Sequence, residues 1–135
     1  MAKVQMFAVL SLDGCLSAKT GDASWALRPE SYGIDKLFGA ADYEFSSTYP
    51  TSRLRENEDD SVFIIEAKSE NADYINGLFR LQLIDEIIIY TVPFIAGTDL
   101  KLFKPGLPIS YWELNSEKNY NGGIRRSIYS RKVVE

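Results

Sequence analysis

Few residues in this sequence are able to do chemistry, and one chemically versatile type is missing altogether. Histidine is absent from all 135 residues, which removes Ser-His and Cys-His nucleophile pairs and His-based zinc sites and makes acyl-transfer and zinc hydrolases poor candidates. Acid–base work falls to carboxylates, tyrosine, lysine or water. In Ser11-Leu12-Asp13-Gly14, a hydroxyl and a carboxylate stand two residues apart, where an apolar run gives way to a glycine turn. Trp25 follows the Gly21-Asp22 loop and is the aromatic best placed to line a ligand cleft, whereas Phe38, Phe79, Phe94, Phe103 and Trp112 read as core. The acidic run from Arg55 to Asp60 reads as a solvated loop, because carboxylates adjacent in sequence do not by themselves converge on one ion; no metal site is expected. The basic group Arg125, Arg126, Arg131 and Lys132 reads as the solvated face of a terminal strand.

Composition narrows the classes further. A net charge of −4 argues against a nucleic-acid surface, which needs concentrated lysine and arginine. No segment approaches the ~20 apolar residues that span a bilayer, so no membrane partner is expected. A single cysteine, Cys15, leaves no internal disulfide and fits a cytoplasmic address. The first ten residues run straight into Ser11 without a small-residue cleavage site and read as a strand, not an export signal. The length predicts one domain over 1–135.

The elements that must position these groups follow from periodicity. Residues 2–10 are rich in β-formers and apolar on both parities, as in a strand covered on both faces. Pro29 and Glu30 open a helix to Ala41, and residues 42–46 alternate as a short strand. The polar stretch from Ser47 to Asp60 reads as an exposed loop. Residues 61–66 form a buried strand, and Ser69 caps a helix from Glu70 to Leu81, with Tyr74, Leu78 and Leu81 on one stripe. Ile87 to Val92 is a further buried strand, Leu107 to Leu114 another, and Asn121-Gly122-Gly123 turns the chain into a last strand over 124–133. The order predicts an α/β domain: a mixed, mostly parallel central sheet flanked by helices, closed by an antiparallel C-terminal hairpin.

Taken together, Val9 to Gly14, Gly21-Asp22, Trp25, Tyr32-Gly33, then Leu83-Ile84-Asp85-Glu86, Val92-Pro93, Gly97 and Leu102-Phe103 resemble the dihydrofolate-reductase-like superfamily. The similarity is greatest to the C-terminal reductase domain of the bifunctional riboflavin-biosynthesis enzyme. The resemblance implies an NADPH-dependent reductase of a pterin-like or ribosylaminopyrimidine substrate, with the cofactor carrying the hydride and the protein supplying orientation and a proton route. It places Asp13 at the reacting ring as the catalytic residue, with Ser11, Gly14 and Trp25 against the small heterocyclic substrate. It also implies a homodimer, for which the apolar run from Ile87 to Ile95 is a suitable contact.

The chain departs from that family where phosphates should be held. The family's Gly-Gly pair after the third buried strand is replaced by Glu66-Ala67-Lys68-Ser69-Glu70-Asn71, whose Cβ atoms obstruct close approach of a pyrophosphate to backbone N–H groups. The Gly-Arg-x-Thr-Tyr segment survives only as Ser46-Ser47-Thr48-Tyr49, and between Tyr49 and Val62 a strand and a helix usual in relatives are missing. A cofactor grip would then rest on Thr48, Arg53, Lys68, Ser69 and Gly97. Two functions stay open: an NADPH-dependent reductase, or a non-catalytic dimeric binding or structural module that keeps the fold and has lost the dinucleotide.

Overall fold

The computed structural model describes residues 3–16, 32–56, 61–97 and 100–132. Trp25, the Gly21-Asp22 loop, Pro29, the acidic residues 57–60 and the pair Thr98-Asp99 lie outside them. β1 (Lys3–Leu10) is apolar on both parities because it is a central strand, with β3 (Val62–Glu66) on one side and β4 (Glu86–Thr91) on the other, both parallel to it. The short β2 (Tyr43–Glu44) joins β3 in parallel at one edge. β6 (Arg125–Arg131) runs antiparallel to β4, and β5 (Trp112–Asn119) pairs antiparallel with β6, so the sheet order is β2-β3-β1-β4-β6-β5. The α/β class, the mixed sheet and the antiparallel C-terminal hairpin are as the sequence predicts.

Alternation along each strand divides the core between the two faces. Val4, Met6, Ala8 and Leu10 of β1, with Phe63 and Ile65 of β3, meet α2 (Thr51–Glu56) through Leu54 and α3 (Ala72–Arg80) through Ile75, Leu78 and Phe79. Phe7, Ile64, Ile88 and Tyr90 point the other way, towards Ile34, Leu37 and Phe38 of α1 (Ile34–Ala40). The junction before β4 is tied by carboxylates: Asp85 accepts the Val4 N–H at 2.9 Å, and Glu86 pairs with Lys3 at 2.8 Å. Asn76, buried within α3, donates to the carbonyls of Ala72 and Leu102 at 2.7 Å and accepts the Lys104 N–H at 3.1 Å. This one side chain stitches the segment after β4 to the helix layer.

Several sequence expectations shift. The supposed loop over 47–60 contains α2, which starts just after Pro50 because proline suits a first helical turn and Leu54 finds a buried place in the core. The helix after β3 begins later than expected: residues Ser69–Asn71 form a 3₁₀ turn, and Asn71, not Ser69, precedes α3. The strand expected at 107–114 is β5 at 112–119, where the polar residues lie along the sheet's outer edge and need no core. The run from Ile87 to Ile95 cannot supply the dimer contact as a unit, since Ile87, Ile88 and Tyr90 are buried in an internal strand. Nor is the basic cluster one solvated face. Arg131 donates to the Ile84 carbonyl and lies 5.3 Å from the Trp112 ring, while Arg126 points to the opposite side of the sheet.

Candidate functional site

The parallel strands deliver two groups of sequence-predicted residues to their carboxyl ends, the side of an open α/β sheet on which ligands sit. The first is the turn after β1. Ser11 is buried, and its hydroxyl donates to Asp13 while accepting the Cys15 N–H at 3.1 Å. The Asp13 carboxylate also accepts the N–H groups of Ala96, at 3.1 Å, and Gly97, at 2.9 Å. The backbone adds a bond from the Leu12 N–H to the Phe94 carbonyl at 2.8 Å. The turn after β1 and the loop after β4 are thereby clamped as one unit. Gly14 and Gly97 both have positive φ, 77° and 68°, and a Cβ built on either meets nothing within 4 Å, so glycine is there for the backbone bend and open space adjoins both turns.

These bonds decide the charge of Asp13. The Ser11 hydroxyl, then the Gly97 and Ala96 N–H groups, hold its carboxyl well below the usual carboxylate range. At neutral pH it is an ionised acceptor with its lone pairs engaged. It can orient the two turns and present negative charge; it is poorly suited to deliver a proton.

The second group surrounds a cleft of about 160 Å³ between the ends of β2 and β3, lined by Glu44, Ser46, Glu66, Lys68, Glu70 and Asn71 among others. Parallel pairing of Glu44 with Ile64 carries Ser46 alongside Glu66, which is why these distant segments meet. Three carboxylates face one lysine, and that lysine already lies 3.6 Å from Glu66. The backbone is equally committed: the Lys68 N–H donates to the Asn71 side-chain oxygen at 2.7 Å, and the Asn71 amide donates to the Glu66 carbonyl at 2.9 Å. Asn71 thus occupies from within a backbone donor that an anion would use.

The remaining candidates scatter. Thr48 is exposed, with its hydroxyl 2.8 Å from that of Ser46. Arg53 is exposed on α2, and neither it nor Ser69 lines the cleft. Gly97 belongs with Asp13, not with Lys68. The structure therefore gathers Ser11, Asp13, Gly14 and Gly97, sets Lys68 in a separate cleft, and leaves Trp25 outside the described residues. The roles of Glu44 and Asn71 escaped sequence reading; a parallel register for residues 43–46 against 63–66 would have revealed Glu44. Among the described residues no cluster of metal-ligating side chains occurs.

No family model and no curated protein matches the sequence. Solved structures do match, over nearly the whole chain. A protein from Shewanella sp. PV-4 assigned to riboflavin biosynthesis superposes with a TM-score of 0.68 at 17% identity, covering 97% of this chain and 99% of that one. Acinetobacter baumannii RibD superposes at 0.67 and 11% identity, covering 98% of this chain and 59% of its own. Dihydrofolate reductase from Enterococcus faecalis, in complex with NADP(H) and RAB-propyl, superposes at 0.65 and 9% identity, covering 97% of both. This chain has the dihydrofolate-reductase-like fold. Identities this low establish the architecture and leave activity to the site.

Within the dihydrofolate-reductase-like fold, NADP(H) is the cofactor to test against the residues present. They do not fit it. A dinucleotide phosphate placed at the β2–β3 cleft would meet Glu44, Glu66 and Glu70, a lysine engaged by Glu66, and a backbone N–H already bonded to Asn71. Ala67 and Lys68 each carry a Cβ just after β3, which hinders close approach of a phosphate to the backbone there.

Proposed function

We propose that this protein is a binding module of the dihydrofolate-reductase-like fold that works without NADPH: a homodimer that holds a small heterocyclic molecule beside the Ser11–Gly14 turn. The observation that carries this reading is the β2–β3 cleft, acidic and internally hydrogen-bonded where a dinucleotide phosphate would have to bind. The Ser11–Gly14 turn is, by contrast, clamped to Gly97 by Asp13. With most of β4 internal, the exposed apolar residues proposed for contact with a second copy are Ile109, Tyr111 and Leu114, which lie together in sequence at or just before the edge strand β5. No helix among the described residues is long and apolar enough to cross a membrane. The proposed address is the cytoplasm, which the single cysteine, Cys15, fits.

Thermal unfolding in the presence of a panel of pterins and aminopyrimidines tests the binding half. At least one is expected to raise the melting temperature saturably, and Asp13→Asn is expected to abolish the rise by loosening the two turns. A panel without effect would remove heterocycle binding. One observation favours the second function, an NADPH-dependent reductase of a pterin-like or ribosylaminopyrimidine substrate: two glycine turns with adjoining open space, held together at the strand ends. It requires saturable NADPH binding at the β2–β3 cleft and cofactor oxidation on adding substrate, neither of which the binding-module account allows.

A further inference from the structure

A cleft of about 390 Å³, which shares no lining residue with the two groups described above, opens between the start of α1 and the β5–β6 hairpin. Its charged lining is Lys36 from α1, Lys118 from β5 and Arg126 from β6, with Asp35 as the one carboxylate and Tyr120 as an aromatic wall. Sheet register explains the convergence. Tyr90, Arg126 and Lys118 are directly opposed across β4, β6 and β5, so their side chains leave the same face in a row.

The row is anchored at its inner end. The hydroxyls of Tyr90 and Tyr120 both donate to the Tyr32 carbonyl, at 2.6 and 2.9 Å, and the Tyr120 ring packs edge-on against Tyr32. Lys118 lies 5.1 Å from the centre of the Tyr120 ring, which holds its ammonium group over the cleft. Arg126 shows an open valence: its Nε is buried and has no hydrogen-bond partner among the described residues. Among the described residues, no carboxylate lies within ion-pair distance of Lys36, Lys118 or Arg126. Asp35 turns its carboxylate back to the Lys36 N–H at 2.9 Å.

Three cations with no carboxylate partner among the described residues, around one cleft, are unexpected on a chain of net charge −4, even with Arg126 beside the Tyr90 hydroxyl. We infer that this cleft binds a phosphate group, carried on a small organic phosphomonoester, with Arg126, Lys36 and Lys118 holding the phosphate oxygens. Three cations less one carboxylate leave an excess of positive charge that matches the roughly −1.5 to −2 of a phosphomonoester at neutral pH. Arginine supplies the directional donors and the lysines supply charge. The volume falls in the ~300–1,000 Å³ range of small-molecule sites, with room for more than the bare ion.

The test is calorimetric titration of the full chain with inorganic phosphate and with ribose 5-phosphate at fixed ionic strength, using ribose as the uncharged control. Saturable binding of both phosphates and none of ribose is expected. Tighter binding of ribose 5-phosphate would assign an organic ligand, and equal binding would assign the ion itself. Lys36→Gln/Lys118→Gln, which alters two exposed side chains, should weaken binding about tenfold or more, and Arg126→Gln should do the same where it folds. Lys68→Gln, in the other cleft, should change nothing. The inference is overturned if neither phosphate binds, if the double lysine variant binds as the parent does, or if Lys68→Gln causes the loss.

Discussion

At the scale of single residues, Asp13 and Tyr90 show how environment assigns a role that residue type alone does not. The sequence marks Asp13 as a carboxylate at the mouth of a strand, and family resemblance makes it catalytic. The structure spends its lone pairs on Ser11, Ala96 and Gly97. Because its pKa is lowered on folding, its contribution to stability is present above the unfolded value near 4 and is lost as pH falls below that value. Asp13→Asn puts an amide N–H₂ against a backbone N–H. The variant should melt lower than the parent at neutral pH and show a flatter loss of stability in acid, measured by thermal unfolding across pH 2–7; an unchanged acid limb would deny the clamp. Tyr90 shifts the other way: burial, with the neighbouring Tyr120, pushes its phenol up to about 12. A raised pKa contributes stability that is complete below the unfolded value near 10 and lost between there and 12. Tyr90→Phe should cost about 1 kcal/mol at neutral pH, one buried hydrogen bond to Tyr32, and should remove the part of the alkaline decline that belongs to this phenol.

At the scale of elements, the legible parts were those whose burial imposes a pattern. β1, β3 and β4 are apolar because both of their faces are covered, and their positions in the sequence reading agree with the structure to within a residue or two. α2 was hidden because one turn and a half of helix that sets Leu54 in the core has too little periodicity to rise above its polar neighbours. β5 was displaced because an edge strand mostly open to solvent carries no apolar alternation. The Ser11–Gly14 turn was legible from glycine and position, whereas the acidic cleft and the basic row depend on register between strands, which the sequence does not display. Asn76 belongs to the same class: nothing local marks a mid-helix asparagine as the link between α3 and residues 102–104. Asn76→Ala leaves the Leu102 carbonyl and the Lys104 N–H unpaired near the core. It should lower unfolding free energy by about 3 kcal/mol in urea with an unchanged m-value, and a loss below about 1 kcal/mol would mean that these groups find other partners.

At the scale of the whole molecule, the sheet order and the matching structures show the dihydrofolate-reductase-like fold, while the lining of the β2–β3 cleft speaks against a dinucleotide phosphate there. Charge is divided across the fold: carboxylates collect beside β2 and β3, and cations collect beside α1, β5 and β6. A second copy is expected to cover Ile109, Tyr111 and Leu114, and sedimentation should report a dimer that Leu114→Glu dissociates; a monomer at high protein concentration would remove that part of the account. The central claim is that the β2–β3 cleft does not hold NADPH. The most direct measurement is the melting temperature of the Lys36→Gln/Lys118→Gln variant, in which the basic cleft cannot contribute, against rising NADPH. A ligand at 100 times its dissociation constant would stabilise the fold by about 2.7 kcal/mol. The account predicts no saturable shift up to millimolar NADPH; a saturable rise that Lys68→Ala abolishes would contradict it.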